Sequence, residues 1–227
     1  MMGKMAKEII YRSAGITVDV VLFTIEEERL KVLLIERNNT PYNGGLALPG
    51  GFMQESETTE DAAYRILREK AGVKDIYIEQ LYTFSGIRRD PRGRVISVTY
   101  FALVSREKIF FEGSDLQAPA LFSVAKNMKL AFDHGEILSY AVERLRSKLE
   151  YTNVVYSLLK PQFTLTRLQR AYEIILGKKI DKRNFRKKYL SLGLIQETKN
   201  YERGGKQRPA RLYQFKTREL SQLKKFF

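Results

Sequence analysis

GFMQESETTEDAAYRILREKAGV, residues 51–73, carries the strongest local pattern in this chain. The preceding LALPGG (46–51) is a short apolar run closed by paired glycines, as a strand ending in a turn would be. Residues 59–71 are expected to form a helix. Thr58 or Thr59 can cap its first turn, Gly72 can stop it, and Ala63, Ile66 and Leu67 can line a buried stripe. On that helix, positions 66, 69 and 70 stand at i, i+3 and i+4 and so share one face. They read Ile66, Glu69 and Lys70: a hydrocarbon, a carboxylate and an ammonium.

Outward from this helix the chain alternates strands and helices. ITVDVVLFTI (16–25) and LKVLLIER (30–37), parted by EEER, read as a strand pair; NNTPYNGG (38–45) is a turn-rich loop. DIYIEQLYTFSG (75–86) and RVISVTYFALV (94–104) read as strands joined by IRRDPRG. Residues 105–130 have no clear pattern. HGEILSYAVERLRSKL (134–149) places Ile137, Ala141, Leu145 and Leu149 at helical spacing, and His134 is expected to cap that helix. This order suits a compact α/β sandwich over residues 1–150.

Charge divides the chain into two units. Residues 1–150 hold 21 Lys+Arg against 21 Asp+Glu, whereas residues 151–227 hold 19 against 5, so the last third carries the entire net charge of +14. Such asymmetry points to a polyanionic partner, with nucleic acid first and a merely solvated basic surface second. With no cysteine and one histidine, disulfides, thiolate zinc sites and histidine-based triads are excluded as organising chemistry. The sequence shows no apolar run of membrane-spanning length and no secretory h-region, so a cytoplasmic protein with no membrane partner is expected.

The spacing of Gly51, Glu57, Arg65, Glu69, Gly72 and Val73 resembles the Nudix box, G-x5-E-x7-R-E-apolar-x-E-E-x-G-apolar. The resemblance implies structural roles for Gly51, Glu57, Arg65 and Gly72, with Glu57 and Arg65 bracing the loop against the helix. Where that box has its other two glutamates, this chain has Ile66 and Lys70. Three carboxylates would make a hard-oxygen site for the Mg²⁺ that clamps a diphosphate. One carboxylate beside an ammonium does not, so no catalytic and no metal-ligating residue is assigned and no cofactor is required. Instead Glu69 and Lys70 are candidates for contact with a bound diphosphate, Lys70 taking over part of the metal's charge. FSGIRRDPRGR (84–94) supplies Arg89, Arg92 and Arg94 as guanidinium forks for phosphate or ribose, and its RDPRG resembles runs in ADP-ribose-type Nudix proteins. Phe52 is a candidate to stack on a base; Phe52 and Tyr100 are equally able to pack in the core.

Beyond residue 150 the pattern becomes helix, turn, helix, hairpin. TRLQRAYEIIL (166–176) ends at Gly177, and DKRNFRKKYLSLG (181–193) opens on Asp181 and closes on Gly193. Phe185, Tyr189 and Leu192 form an apolar seam, leaving Lys182, Arg183, Asn184, Arg186 and Lys187 for DNA. The basic loop between LIQETK and RLYQF adds Arg203, Lys206 and Arg208 as wing contacts.

Taken whole, the chain resembles the NrtR family of Nudix-related transcriptional regulators. The segments that carry this resemblance are LPGG with its altered box, RDPRGRVISVTYFAL, AFDHGEIL, RLRSKLEYTNVVYSLLKPQFTLTRLQ, DKRNFRKKYLSLGLI and GGKQRPARLYQF. The resemblance implies a Nudix α/β/α sandwich followed by a winged helix-turn-helix at 151–227. It also implies a homodimer on palindromic double-stranded operators and an effector, ADP-ribose-like or a sugar, in the Nudix pocket. Competing readings are an active pyrophosphatase with a basic nucleic-acid-binding tail, and a wing that docks protein or RNA.

Overall fold

The computed structural model describes residues 13–74, 76–110, 119–125, 128–202 and 209–223. The first half is a seven-stranded mixed sheet. Strands β1 (Gly15–Glu26), β2 (Arg29–Glu36), β3 (Leu46–Ala47) and β4 (Gly50–Phe52) precede helix α1 (Thr59–Ala71). Strands β5 (Tyr77–Phe84), β6 (Val95–Leu103) and β7 (Ala120–Ser123) follow, then helix α2 (His134–Tyr151). The sheet runs β3-β2-β1-β6-β5, with β4 added on β1 and β7 on β2. β1 and β6 are parallel, so the crossover between them brings α1 onto one face. The run LALPGG divides between β3 and β4 at Leu48–Pro49, and the unpatterned 105–130 region contains a 3₁₀ turn at Arg106–Lys108 and the short β7.

Alternation along β1 sorts its side chains to two cores. Val18, Val20 and Leu22 pack with Ala62, Ala63, Ile66 and Leu67 of α1. Val21 and Phe23 pack on the other side with Ile137, Ala141, Leu145 and Leu149 of α2. These two layers complete the expected α/β/α sandwich. Helix α1 starts at Thr58, whose hydroxyl accepts from the Asp61 N–H in a reciprocal capping box, a motif worth about 0.5–2 kcal/mol. It stops at Gly72 with φ 61°, where a Cβ would also lie 2.7 Å from the Phe110 carbonyl. That position accepts only glycine.

The tight turn between β1 and β2 is unusual. Glu27 and Glu28 both have positive φ, 50° and 58°, in a two-residue hairpin loop where Asn-Gly is the usual solution. Left-handed backbone costs a non-glycine residue roughly 1–2 kcal/mol. Glu27 recovers part of this by pairing with Lys31 at 3.0 Å, and Glu28 reaches the second half of the chain.

That second half is a winged helix: α3 (Leu165–Leu176), α4 (Lys182–Ser191) and the hairpin β8 (Ile195–Glu202)–β9 (Ala210–Phe215). Both helices are capped at each end, at Asp181, Gly177 and Gly193 as expected and at Thr164 in addition. Thr164 accepts from the Arg167 N–H and Asp181 from the Asn184 N–H, while Gly177 and Gly193 take left-handed φ at the far ends. The second core does not stop at the domain boundary: it runs from the sheet through α2 and the buried 3₁₀ segment Val154–Leu158 into Leu168, Tyr172 and Ile175 of α3. A side-chain hydrogen bond from Arg146 to the Ile175 carbonyl, 2.9 Å, joins the two helices directly. No helix among the described residues is long and apolar enough to cross a membrane.

Candidate functional site: a cleft and a basic helix

β1, β4, the 86–94 loop and the start of α2 surround a cleft of about 220 Å³. Its floor is a buried polar network. Asp19 on β1 accepts from the Ser97 hydroxyl at 2.6 Å and stands 3.4 Å from Arg89; Arg89 in turn makes two 2.8 Å bonds to Asp133. Close approach shapes this floor: a Cβ on Gly50 would sit 2.0 Å from Asp19 Oδ1. A Cβ on Gly51 would meet nothing within 4 Å, so of the paired glycines it is Gly50 that makes the close approach.

His134 does not cap α2. Its Nδ1 accepts from the Leu48 N–H at 2.9 Å, and its Nε2 faces Asp19 Oδ1 at 3.7 Å. Burial pushes its pKa down, so the imidazole is neutral, tying the first turn of α2 to the strand-turn 46–51. It missed the capping role because it is the first helical residue, with Asp133 before it, and its side chain points into the cleft.

The cleft's mouth is aromatic and cationic. Phe52 is half exposed, whereas Tyr100 is buried with its hydroxyl 2.9 Å from Thr59, which divides two residues the sequence left equal. The Arg92 guanidinium lies within reach of both Phe52 (5.6 Å) and Phe132 (5.4 Å), and Arg37 covers Phe132 at 4.6 Å. Phe132 holds φ 55°, a left-handed backbone for a bulky residue. Asp19, Arg37 and the neighbours Phe132 and His134 join the site from three separate segments, none of which sequence patterning assigned to it.

Of the six residues expected to touch the effector, Phe52, Arg89 and Arg92 line this cleft. Arg89 is committed to Asp19 and Asp133, and half-exposed Arg92 is paired with Asp90 at 2.7 Å. Arg94 is elsewhere, donating to the Ser85 and Gly86 carbonyls as a loop brace. Glu69 and Lys70 are exposed on α1 and do not line the cleft.

Ile66 is 2% exposed within the sheet–helix core, and Glu69 stands 3.7 Å from Arg65. The donors that a Nudix-type Mg²⁺ needs on this face are thus one carboxylate, one buried hydrocarbon and one ammonium. They do not fit the ion.

Glu57 and Arg65 form the expected brace, with bonds of 2.6 and 2.9 Å, and Glu57 also accepts from the Gln54 N–H. Arg65 above all holds the Glu57 carboxyl down at about 2. A carboxylate with a lowered folded pKa stabilises the fold above its unfolded value, 4.5, and loses that contribution as pH falls toward 2. Glu57→Gln is therefore expected to lower Tm at pH 7, with the gap from the unaltered chain closing between pH 4.5 and 2. Thermal melts across that range check it; a gap independent of pH contradicts it.

The second candidate site is α4. Phe185 and Tyr189 are buried against Tyr172, with ring centroids 5.4–5.8 Å apart, so the opposite face must look outward. Lys182, Arg183, Asn184 and Lys187 are all exposed on it. Arg186 is not: its guanidinium donates to Thr166 Oγ1 at 3.0 Å and ties α4 to α3. Arg203, Lys206 and Arg208, expected on the wing, lie outside the described residues.

Comparison with known proteins matches both halves. A family profile for the NUDIX domain covers residues 15–141, and one for the NrtR DNA-binding winged helix domain covers residues 155–215. The "ADPR responsive transcriptional repressor NtrR" of Acinetobacter baylyi is 39% identical over 211 residues, 90% of this chain and 83% of that protein. The crystal structure of Shewanella oneidensis NrtR complexed with a 27mer DNA superposes with TM-score 0.81 at 39% identity, over 88% of this chain and 93% of that one. The NUDIX domain of the same Shewanella protein, complexed with ADP ribose, superposes with TM-score 0.54 at 40% identity, over 60% of this chain and 90% of that one.

Proposed function

The chain belongs to the NrtR family of Nudix-related transcriptional regulators, and we propose that it is a repressor released from DNA when an ADP-ribose-type nucleotide enters the cleft. The observation that carries this reading is the 39% identity, along 90% of the chain, to a repressor named for its response to ADP-ribose.

The geometry supplies a route. Phe52 and Phe132 lie 5.6 and 5.4 Å from the Arg92 guanidinium, so a planar base that displaces Arg92 comes within reach of two aromatic rings. At about 220 Å³ the cleft is below the roughly 300–1,000 Å³ that encloses a drug-sized ligand. The nucleotide enters by one end, and its diphosphate extends over the rim toward Lys70 and Glu69. Ligand contact at Phe132 and His134 bears on the first turn of α2, an 18-residue helix about 27 Å long whose far half packs on α3. A tilt of α2 moves α4.

On DNA, Arg183 and Asn184 in the first turn of α4 read base edges while Lys182 and Lys187 meet phosphates. A two-fold homodimer places two such helices on a palindromic operator about one turn apart, ~34 Å. The protein acts with the DNA, in the cytoplasm. With Ile66 and Lys70 in the box, ADP-ribose is sensed rather than cleaved.

The test is a gel shift on DNA from upstream of the chain's own gene, repeated with ADP-ribose and with a panel of sugars. ADP-ribose alone among them is expected to release the DNA. Release by a sugar instead, or by nothing, overturns the effector assignment. Rapid Mg²⁺-dependent ADP-ribose turnover favours the pyrophosphatase reading.

A further inference from the structure

A second cavity, about 620 Å³, opens between the two domains, remote from the cleft described above. One wall comes from the sheet domain, at Ile25, Glu28 and Arg106; the other comes from α3 and the segment leading into it. Its floor is apolar, built on Leu158, Leu159, Phe163 and Ile174. Its charged lining is cationic on balance, with Arg106, Lys160, Arg167, Arg170 and Lys182 against Glu28, Glu107 and Glu173, and the exposed Lys160 and Lys182 form no ion pair among the described residues. Volume, apolar floor and position between domains are those of a small-molecule site.

The cavity already holds one internal anion. Glu28, two-thirds exposed on the strained left-handed turn, reaches across the boundary to pair with Arg170, which also meets Glu173 at 3.1 Å. The Glu28 carboxylate is one that an incoming anion can replace, because its side chain is two-thirds exposed and the guanidinium keeps a charged partner.

We infer that this crevice is a second ligand site, taking a small amphipathic anion whose apolar body lies against the partly exposed Ile25 and Ile174 and whose acidic group displaces Glu28 from Arg170. Charge complementarity selects the ligand class, since a cationic or neutral molecule of the same shape would leave Lys160 and Lys182 without a counter-charge. Such a ligand wedges the sheet domain from α3 and so resets the pose of α4. Binding itself stands apart from the repressor reading; its effect on operator affinity rests on that reading.

The probe is 8-anilinonaphthalene-1-sulfonate, a flat aromatic body with one sulfonate, titrated by fluorescence into the full-length protein. One molecule per chain is expected to bind, undisturbed by saturating ADP-ribose. Arg170→Ala is expected to weaken it at least tenfold and Lys160→Glu about threefold, whereas Glu28→Gln, which removes the internal competitor, tightens it about threefold. Opposite signs for Arg170→Ala and Glu28→Gln separate displacement from simple loosening of the domain contact, which would move both the same way. Same-sign effects, displacement by ADP-ribose, or several equivalent probes per chain (an adventitious additive only) overturn the proposal. If one probe binds as described and ADP-ribose never releases operator DNA, the repressor reading fails while this site stands.

Discussion

Replacing Arg183 by alanine is expected to weaken operator binding by about 1–3 kcal/mol per half-site, roughly five- to 150-fold, and to relax base preference at one operator position. The basis is geometric. Phe185 and Tyr189 anchor α4 in the core, the Asp181 cap fixes where the helix begins, and Arg183 is thereby held outward in the first turn. First-turn residues of a recognition helix are the ones that reach base edges. Lys187→Ala is the control: its ammonium is proposed to neutralise a phosphate and read no base, so its removal is expected to weaken all duplexes alike and lower the salt slope by about 1. Arg186→Ala should behave differently from both. Its guanidinium holds Thr166 on α3, so the expected loss is in the stability of the helix pair, with base preference retained. Anisotropy titrations on the operator and on single-base variants, at several salt concentrations, distinguish the three. Unchanged preference in Arg183→Ala would move base reading to other residues of the helix.

Phe52→Ala is expected to weaken ADP-ribose by about 1–3 kcal/mol, the range for losing one aromatic wall against a base. Because effector and operator are linked reciprocally, the ADP-ribose concentration needed to release DNA should rise by the same factor, while operator affinity without effector stays unchanged. The half exposure of Phe52 makes this a clean variant, since little core packing depends on the ring. Lys70→Ala is expected to cost less, about two- to fivefold, the scale of a solvent-exposed charge pair. Calorimetry in EDTA measures both. A Phe52→Ala variant that binds ADP-ribose as tightly as the unaltered chain would place the base elsewhere.

Local pattern carries the reading of this chain a long way, and its limits have physical causes. Caps, glycine stops and apolar periodicity are neighbour-to-neighbour effects, so α1, α3 and α4 are all legible from spacing alone. The inward seam of α4 is legible too, because two buried aromatics one turn apart define a face. The cleft is not. Asp19, Arg37 and the Phe132–His134 pair lie far apart in sequence and meet only through the β1–β6 pairing and the entry of α2. Arginines mislead for a related reason: a guanidinium looks the same in sequence whether it faces solvent or a partner. Arg89 is buried between Asp19 and Asp133, and Arg94 spends its donors on two carbonyls. Ile66 shows the opposite case, where extending a buried stripe is the simpler expectation and the core contains it.

The most direct measurement is operator release by ADP-ribose with Mg²⁺ and, separately, with EDTA, followed by recovery and chromatography of the nucleotide. Equal release in both, with the ADP-ribose recovered whole, is the expected result if, as proposed, aromatic rings and guanidinium groups rather than a metal ion hold the effector. Release that needs Mg²⁺ and leaves AMP and ribose 5-phosphate would contradict it.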